Sequence, residues 1–171
     1  MPSAPSPPTI RDAVAATRQR VGDDPTRAVV RLRTEARMGA GTRVDLRAGA
    51  FEFAADEPVS VGGTATAPNP VQMALAALGS CQAITYRYWA ELLGLRLDTV
   101  TVTVEADFDT GAFFGFPGAG TPAPSEVRCS VALEGPEPDG YEELAAIVDQ
   151  HCPVLDLFTR AVPVERVVTT A

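Results

Sequence analysis

The sequence contains no lysine, because all 14 of its basic residues are arginine. An enzyme that forms a Schiff base, or that uses a lysine as general base, is therefore excluded for this chain. Positive charge is scarce overall, since 22 acidic residues give a net charge of −8. Binding to nucleic acid normally requires a positive field, so we expect no nucleic-acid partner.

Histidine and cysteine are scarce as well. The chain has one histidine, His151, and three cysteines, Cys81, Cys129 and Cys152. An odd number of cysteines without close pairs is a poor disulfide framework and favours a reducing compartment. Neither CxxC nor HxxxH occurs. A structural zinc site would use nearly every cysteine and histidine in the chain, so we expect no metal.

Long apolar runs are also missing. The nearest to one, residues 75–95, is interrupted by Ser80, Gln82, Arg87 and Glu91, which is not the pattern of a membrane span. The first residues, MPSAPSPPTIRD, have neither a basic start nor an apolar core. We therefore expect no secretory signal and a cytoplasmic protein that does not enter the membrane.

The length and composition predict one domain with its own core, since the chain has 171 residues and 46% of them are hydrophobic. Residues 1–8 are rich in proline and serine and are expected to lack regular structure. Thr9 and Asp12 then predict the start of a short helix. We accordingly divide the chain into an N-terminal tail with this helix, residues 1–25, and one domain, residues 26–171.

Three short strands are predicted at the start of the domain. Apolar and polar residues alternate over residues 26–37, which is the pattern of a half-buried strand. Turns that contain glycine separate this strand from a second one over residues 43–47 and a third around Phe51 and Phe53. Short strands joined by glycine turns predict an antiparallel meander.

A row of arginines lies along these predicted strands and consists of Arg31, Arg33, Arg37, Arg43 and Arg47. One interpretation is an anion-binding surface. The other is a solvated face of the sheet, balanced in part by Glu35 and Asp45, and the acidic composition favours it.

A long helix is predicted after the meander. Asn69 and Gln72 have the spacing of a capping box, and Gly94 suits the left-handed residue that follows a helix. Residues 71–81 are apolar on nearly every face, which predicts a buried central helix. Cys81, at the end of this apolar segment, would then lie deep in the protein or at a subunit interface.

The second half of the chain contains two further strands, predicted over residues 97–108 and 127–133 from alternating β-branched and polar residues. The loop between them is rich in glycine and proline and carries Phe113, Phe114 and Phe116. Apolar aromatics in a loop usually pack over something, such as a site that they cover or a second subunit.

A second helix is predicted to begin near Pro138 and to end at Cys152, because Pro153 follows. Residues 163–170 are rich in valine and are predicted to form a final strand. The predicted order is β-β-β-α-β-β-α-β, which gives an α+β fold with antiparallel sheet.

Cys81 and Cys152 are the best candidates for chemistry, because both are associated with helices. Small residues around Cys81 leave room for another group, and Pro153 breaks the helix beside Cys152. A buried cysteine is more often an inert small hydrophobe, and we assign Cys129 to that class. Adjacent residues at a helix end usually point apart, so we expect His151 to be structural or exposed and not the base for Cys152.

Two segments resemble the OsmC/Ohr family. The family's loop, helix start and first cysteine are similar to DEPVSVGGTATAPNPVQMALAALGSC, and its second-cysteine segment is similar to HCPVLDLFTRAVPVE. The two cysteines are 71 positions apart and the predicted strand order matches, so the resemblance spans about residues 26–170. Each motif alone is moderately specific, but both in order, within the expected elements, are a strong signal.

The resemblance implies an OsmC-like α+β fold in which an antiparallel sheet surrounds a buried central helix, within an intertwined homodimer. It also implies a thiol peroxidase without a cofactor. A Cys81 thiolate would attack an organic hydroperoxide and become a sulfenic acid, and Cys152 would condense with it to a disulfide. A dithiol reductant, which is a lipoylated protein in Ohr members, would then reduce the disulfide.

The family also supplies an arginine for the reactive cysteine and an acid near the helix start that holds this arginine. Here the helix start carries Val71 and Gln72, where characterised peroxidases have glutamate. Arg37 and Arg43 flank the first turn, and we take Arg43 as the activating residue. We expect Gln72 or backbone groups to hold it.

Gln72, Phe113 and Phe114 are expected to contact the substrate. Two alternatives to the peroxidase stay open. One is a small-molecule binding protein that keeps the pocket and the dimer but turns over poorly, because the usual acid is missing. The other is a thiol redox sensor whose disulfide changes an interaction with a partner. The cysteine pair favours the peroxidase and the sensor over the binding protein.

Overall fold

A computed structural model of the chain describes residues 8–170, which form five α-helices, five β-strands and three short 3-10 helices. The structure divides into two compact units, one that ends at Ala74 and one that begins at Leu75. Residues 1–7, most of the segment that we expect to lack regular structure, lie outside the described residues.

The first unit begins with the predicted short helix, α1, which spans Ile10–Asp23. The Thr9 hydroxyl accepts a hydrogen bond from the Asp12 amide at 3.2 Å, as expected of an N-cap. None of the residues of α1 is buried. A 3-10 helix, Pro25–Ala28, follows, and residues 29–33 have no regular structure. The alternation over residues 26–37 therefore corresponds to a strand only at its end.

The predicted meander is confirmed. Strands β1 (Thr34–Met38), β2 (Val44–Ala48) and β3 (Phe51–Ala55) form an antiparallel sheet in the order β1-β2-β3. The turns use Gly41 and Gly49, whose φ angles of 63° and 59° favour glycine. The first strand begins later than predicted. The 3-10 helix that starts at Pro25 occupies the beginning of the alternating segment, and residues 29–33 after it form no strand.

The long helix, α2, spans Pro70–Leu93 and is confirmed at both ends. The Asn69 side-chain oxygen accepts the Gln72 amide at 2.8 Å, and the Gln72 side-chain oxygen accepts the Asn69 amide at 3.0 Å. This is the predicted capping box. Gly94 follows the helix with a φ angle of 77°. Within residues 8–170, no helix has the length and apolarity that crossing a membrane requires.

The structure corrects the expected burial of α2. Between Val71 and Cys81 only Leu78 is buried, and Cys81 itself is half-buried. Further along, Ile84 is 58% exposed. The buried residues of α2 lie about one helical turn apart on one side, at Leu78, Gln82, Thr85, Tyr86 and Ala90. A helix that is apolar all round needs neighbours all round, and the single chain covers one side of it.

The second unit contains strands β4 (Thr99–Ala106) and β5 (Val127–Glu134), which pair antiparallel along their full lengths. Both strands lie where the sequence predicts them. The loop between them contains a single helical turn, α3 (Thr110–Phe113), which the sequence analysis does not predict. The Asp109 carboxylate caps this turn by accepting the Gly111 amide at 2.8 Å.

Helices α4 (Tyr141–His151) and α5 (Pro153–Thr159) follow β5 and are separated by Cys152 alone. Helix α4, together with residues of α2, β4 and β5, builds the core of the second unit. The buried members of this core are Tyr86, Ala90, Leu97, Tyr141, Leu144 and Val148. Cys152, which directly follows α4, is also buried.

The predicted final strand is not formed in the described chain. Residues 161–170 follow α5 without helix or strand, and their valines are largely exposed, with Val164 at 89% and Val167 at 79%. A valine-rich pattern predicts the strand conformation. The pattern does not supply the neighbouring strand whose backbone groups must complete the hydrogen bonds.

Candidate active site

Cys152 lies at the junction of two helices. Its amide donates to the Val148 carbonyl at 2.9 Å, and its own carbonyl accepts the Asp156 amide at 3.1 Å. Pro153 occupies the first position of α5, where its missing N–H is not needed. Cys152 is only 2% exposed. The side chain is therefore held in a buried place by backbone hydrogen bonds on both sides.

Cys81 lies in the middle of α2 and is half-buried. Its carbonyl accepts the Thr85 hydroxyl at 2.7 Å. Close by, Gly79 lets the helix approach β4, because a Cβ added there would lie 3.4 Å from a methyl group of Val104. Cys81 is thus fixed on a helix that packs tightly on the sheet, and part of the residue remains accessible.

The structure brings the two cysteines close together, because the side chain of Cys81 is one of the groups that raise the pKa of the Cys152 thiol. Both are free thiols. Two thiols that lie close together can reach disulfide geometry by rotation of their side chains. The arrangement can therefore support oxidation of one thiol followed by condensation with the other.

The surroundings of Cys152 favour its protonated form. Burial raises the pKa of the Cys152 thiol, and the contact with Cys81 raises it further. The backbone N–H groups of Leu155 and Val154 act in the opposite direction, but the pKa remains above its usual value. A protonated thiol is a hydrogen-bond donor, so Cys152 is suited to donate to a thiolate at Cys81.

Arg43 lies in the turn before β2 and is held from two sides. Its Nε and Nη2 atoms lie 3.2 and 3.1 Å from a carboxylate oxygen of Asp45. Its Nη1 atom donates to the Thr66 hydroxyl at 3.3 Å. The side chain is 42% exposed. The carboxylate partner of Arg43 is therefore a residue of the meander.

This corrects the expected role of Gln72 in holding Arg43. The side-chain oxygen of Gln72 accepts the Asn69 amide and thereby completes the capping box. The contacts of Arg43 are made by Asp45 and Thr66 instead. The sequence pattern predicts the capping box, and the helix start is where the structure places the Gln72 side-chain oxygen.

Sequence reasoning missed the most densely hydrogen-bonded carboxylate of the first unit, Asp56, which is 1% exposed. Its Oδ1 accepts the Thr42 hydroxyl at 2.6 Å and the Glu57 amide at 2.8 Å. Its Oδ2 accepts the hydroxyl of Thr64 at 2.5 Å and that of Thr66 at 3.2 Å. The amides of both threonines also donate to Oδ2, at 3.0 and 3.2 Å.

These hydrogen bonds, led by those from the hydroxyls of Thr42 and Thr64, hold the pKa of Asp56 far below its usual range. The carboxylate is therefore ionised under all ordinary conditions. We call Asp56 and its three threonine partners, Thr42, Thr64 and Thr66, the threonine clasp. The sequence carries a signal for the threonine clasp, since the segment Thr-Ala-Thr follows two glycines in the loop that begins at Asp56.

Phe113 and Phe114 belong to an exposed aromatic cluster, which also contains Phe108 and Phe116. The rings of Phe113 and Phe114 are 5.0 Å apart, and those of Phe114 and Phe116 are 5.8 Å apart. Phe108 lies 6.3 Å from Phe113. With Phe113 57% exposed, much apolar surface is uncovered, and the role of Phe113 and Phe114 in substrate binding stays a prediction.

His151 and Cys129 are placed away from a catalytic geometry. The His151 ring packs on Trp89 at 4.4 Å, and its Nδ1 is hydrogen-bonded with the Ile147 carbonyl at 2.8 Å. Cys129 lies in β5 and is exposed, which corrects its assignment to the buried cysteines. Partial desolvation and the charge of Asp149 raise its pKa. Among residues 8–170, no three side chains of the types His, Cys, Asp and Glu gather as metal ligands.

The charged face of the meander supports the interpretation as a solvated surface. Arg37 lies opposite Asp45 in the register of β1 and β2, and Arg47 lies between Glu35 and Glu52 of its two neighbouring strands. Opposite charges in facing positions stabilise a sheet modestly and neutralise one another. An anion would therefore meet a balanced surface and not a field of one sign.

A protein-family model described as OsmC-like protein matches residues 63–166, which is more than half of the chain. This chain belongs to the OsmC-like family. The matched segment of this OsmC-like chain includes Thr64 and Thr66 of the threonine clasp and both Cys81 and Cys152. No curated protein sequence matches the chain closely enough to serve as a relative.

Solved structures resemble this OsmC-like chain in fold. An OsmC-like protein from Mycoplasma pneumoniae has a TM-score of 0.63 at 17% identity, over 75% of this chain and 87% of that one. The organic hydroperoxide resistance protein OsmC from Legionella pneumophila has a TM-score of 0.55 at 21% identity, over 77% and 90%. The organic hydroperoxide resistance protein OhrB from Bacillus subtilis has a TM-score of 0.54 at 17% identity, over 76% and 91%. These similarities establish the OsmC-like α+β fold.

Proposed function

We propose that this chain is a cysteine-based peroxidase that reduces organic hydroperoxides, with Cys81 as the attacking thiolate and Cys152 as the resolving thiol. The observation that carries the proposal is the proximity of the Cys81 side chain to Cys152, which is buried and has a raised pKa. The names of the similar proteins from Legionella pneumophila and Bacillus subtilis, both organic hydroperoxide resistance proteins, are consistent with it.

The first step oxidises Cys81. Its thiolate attacks the distal oxygen of the hydroperoxide, so that an S–O bond forms while the O–O bond breaks. The alkoxide leaves and takes up a proton to become an alcohol. Sulfur loses two electrons and becomes a sulfenic acid, and the substrate gains them. The protonated Cys152 nearby can donate a hydrogen bond to this thiolate.

The second step uses Cys152. Its sulfur attacks the sulfenic sulfur of Cys81, the S–S bond forms, and the S–O bond breaks. The departing hydroxide combines with the proton of Cys152 and leaves as water. The N–H groups of Leu155 and Val154, which already face the Cys152 sulfur, stabilise the negative charge that the sulfur carries when its proton departs.

Turnover then requires an external dithiol, which we propose to be a lipoylated protein. One thiolate of the reductant attacks the disulfide and forms a mixed disulfide, and its second thiol displaces the protein thiol. The reductant leaves as a disulfide, and both protein thiols are restored. The step needs no cofactor held by the chain itself.

An arginine is proposed to favour the thiolate of Cys81, because a neighbouring cation stabilises a thiolate. Arg43 is the first candidate, since Asp45 and Thr66 already restrain its guanidinium. Arg37 and Arg47 are the next residues to test. No lysine exists in the chain to take this role.

Organic hydroperoxides are proposed as substrates in preference to hydrogen peroxide, because an apolar tail gains free energy on burial. Phe113, Phe114 and Gln72 are proposed to contact the substrate.

We also propose a cytoplasmic homodimer. An odd number of cysteines without close pairs suits a reducing compartment, and the exposed aromatic cluster offers apolar surface that a second subunit can cover.

A thiol redox sensor is the second candidate, since the same cysteine contact supports it. A sensor needs the disulfide to form but does not need rapid reduction by a dithiol. A binding protein would need neither reaction. The exposure of Phe113 gives a binding protein an apolar surface, but it offers no reason for two thiols in contact.

Hydroperoxide consumption by the full chain, measured with a dithiol and with a monothiol reductant, tests the proposal. We expect turnover with the dithiol that Cys81→Ser abolishes and Cys152→Ser lowers by about tenfold or more. Cys129→Ser is the matched control and should retain wild-type turnover. A Cys81→Ser variant with unchanged turnover would refute the peroxidase. Disulfide formation without dithiol turnover would favour the sensor.

A further inference from the structure

The buried carboxylate of the threonine clasp is connected to the proposed activating arginine through one hydroxyl group. The Thr66 hydroxyl donates to Asp56 Oδ2 at 3.2 Å and accepts from Arg43 Nη1 at 3.3 Å. We infer that Asp56 is a positioning residue, which sets the orientation of the Arg43 guanidinium through Thr66. This inference rests on the proposed function, in which Arg43 assists the reactive thiol of Cys81.

The direction of this relay follows from hydrogen-bond chemistry. A hydroxyl has one hydrogen, and an ionised carboxylate can only accept. The Thr66 hydroxyl lies 3.4 Å from the Thr64 hydroxyl and closer, at 3.2 Å, to Asp56 Oδ2. With its hydrogen directed to the charged Asp56, it turns a lone pair toward Arg43. Because the Asp56 carboxylate is held ionised by its other hydrogen bonds, the hydroxyl keeps this polarity.

Thr66 can act this way only if its backbone is fixed, and the loop that carries it is closed on Asp56. The amides of Thr64 and Thr66 both donate to the same carboxylate oxygen, at 3.0 and 3.2 Å. The residue between them, Ala65, has a φ of 53°, a left-handed conformation that is uncommon outside glycine. Hydrogen bonds to Asp56 on both sides of Ala65 hold it there.

The other side of Arg43 is fixed as well. Asp45 engages Nε and Nη2, and Thr66 engages Nη1. A guanidinium is planar and carries five N–H donors, so contacts at these three nitrogens define both its position and its plane. The donors that remain on Nη1 and Nη2 can then be offered to an anion in one fixed direction.

The test is the pH profile of Cys81 alkylation by iodoacetamide in the full chain, followed at the Cys81 peptide by mass spectrometry. We expect Arg43→Ala to move the midpoint of the profile upward by about one pH unit. Thr66→Val should move it in the same direction by a smaller amount, because valine cannot accept from Arg43. Thr66→Ser, which restores the hydroxyl, should return the profile to that of the wild type.

Asp56→Asn should act like Thr66→Val, because an asparagine amide can donate to the Thr66 hydroxyl and reverse its polarity. In an Arg43→Ala background, Thr66→Val should have no further effect on the profile. Thr26→Val removes another threonine hydroxyl from an aspartate, at 2.7 Å from Asp24, and should leave the profile unchanged. Thermal unfolding of each variant separates a positioning effect from loss of the fold.

Two results would overturn the inference. In the first, Arg43→Ala moves the profile while Thr66→Val, folded as the wild type, does not. In the second, Arg43→Ala has no effect on the profile, while Cys81→Ser still abolishes hydroperoxide turnover. Failure of the proposed function is distinct from both, because Cys81→Ser would then leave turnover unchanged.

Discussion

At the scale of single residues, two buried titratable side chains, Cys152 and Asp56, are held in opposite protonation states. Burial and contact with Cys81 keep the Cys152 thiol protonated, whereas six hydrogen bonds to Asp56 keep its carboxylate ionised. Both groups are almost fully buried. What differs is the number of donors that face them, because each donor to a charged group offsets part of the cost of burying it.

The first prediction at this scale concerns stability in acid. The folded state lowers the pKa of Asp56 below its unfolded value of 3.8. Asp56 therefore stabilises the fold fully above that pH, and this contribution is lost as the pH falls toward the folded pKa. We expect Asp56→Asn to reduce the free energy of unfolding at neutral pH, and the difference from wild type to shrink below about pH 4.

Urea unfolding between pH 2 and pH 7 checks this, because it gives the free energy of unfolding at each pH. Other carboxylates titrate in both proteins and cancel in the difference. A difference that stays constant over the whole range would show that the ionised carboxylate contributes nothing specific.

Residue-scale features were only partly predictable from the sequence. Cys81 and Cys152 stood out because small residues and a proline surround them. Asp56 did not stand out, since one of its partners, Thr42, lies 14 positions earlier in the sequence, with two strands between them along the chain. One partner of Arg43, Thr66, was missed for the same reason, because it is 23 positions away. Contacts of this kind depend on the fold and not on local pattern.

At the scale of elements, local signals predicted what local forces determine. The capping box at Asn69 and the glycine at position 94 gave the ends of α2, because these groups satisfy backbone atoms of the helix itself. Alternation gave β4 and β5. The valine-rich pattern of residues 163–170 predicted a strand that is not formed, since a strand also needs a partner strand, which the pattern does not identify.

The prediction at the scale of elements concerns the loop that closes on Asp56. A Cβ added to Gly63 would lie 1.8 Å from the Glu57 carbonyl oxygen, so the loop must open to accommodate it. We expect Gly63→Ala to lower the free energy of unfolding by about 1–3 kcal/mol or more. The matched control is Gly120→Ala, where an added Cβ meets nothing within 4 Å.

Chemical denaturation of both variants provides the measurement. Gly120→Ala should stay within about 0.5 kcal/mol of the wild type. If the two substitutions cost the same, the close approach of Gly63 to Glu57 is not a constraint on this loop.

At the scale of the whole molecule, the apolar surface of the single chain predicts self-association. Ile84 is 58% exposed in the middle of α2, Phe113 is 57% exposed, and Val164 is 89% exposed. Apolar surface on this scale normally marks an interaction site. We expect light scattering at micromolar concentration to give the mass of two chains of 18.0 kDa each, and Ile84→Glu to weaken the dimer. A monomer at that concentration would contradict this prediction.

The family and the fold were predictable at this scale, because the two cysteine segments lie in the expected elements and in the expected order. The match over residues 63–166 confirms the family. The burial of α2 was not predictable for the single chain, since hydrophobicity alone does not distinguish a helix covered by its own chain from one covered by a second copy.

The central claim is that Cys81 and Cys152 act as a pair, and the most direct test is the state of these thiols after oxidation. The full chain is treated with one equivalent of an organic hydroperoxide without reductant, and its digest is analysed by mass spectrometry. We predict one linked peptide that joins Cys81 to Cys152, while Cys129 stays a free thiol. In Cys152→Ser, a sulfenic acid should be trapped at Cys81 instead. If Cys81 remains a free thiol after this treatment, or links to Cys129, the account is contradicted.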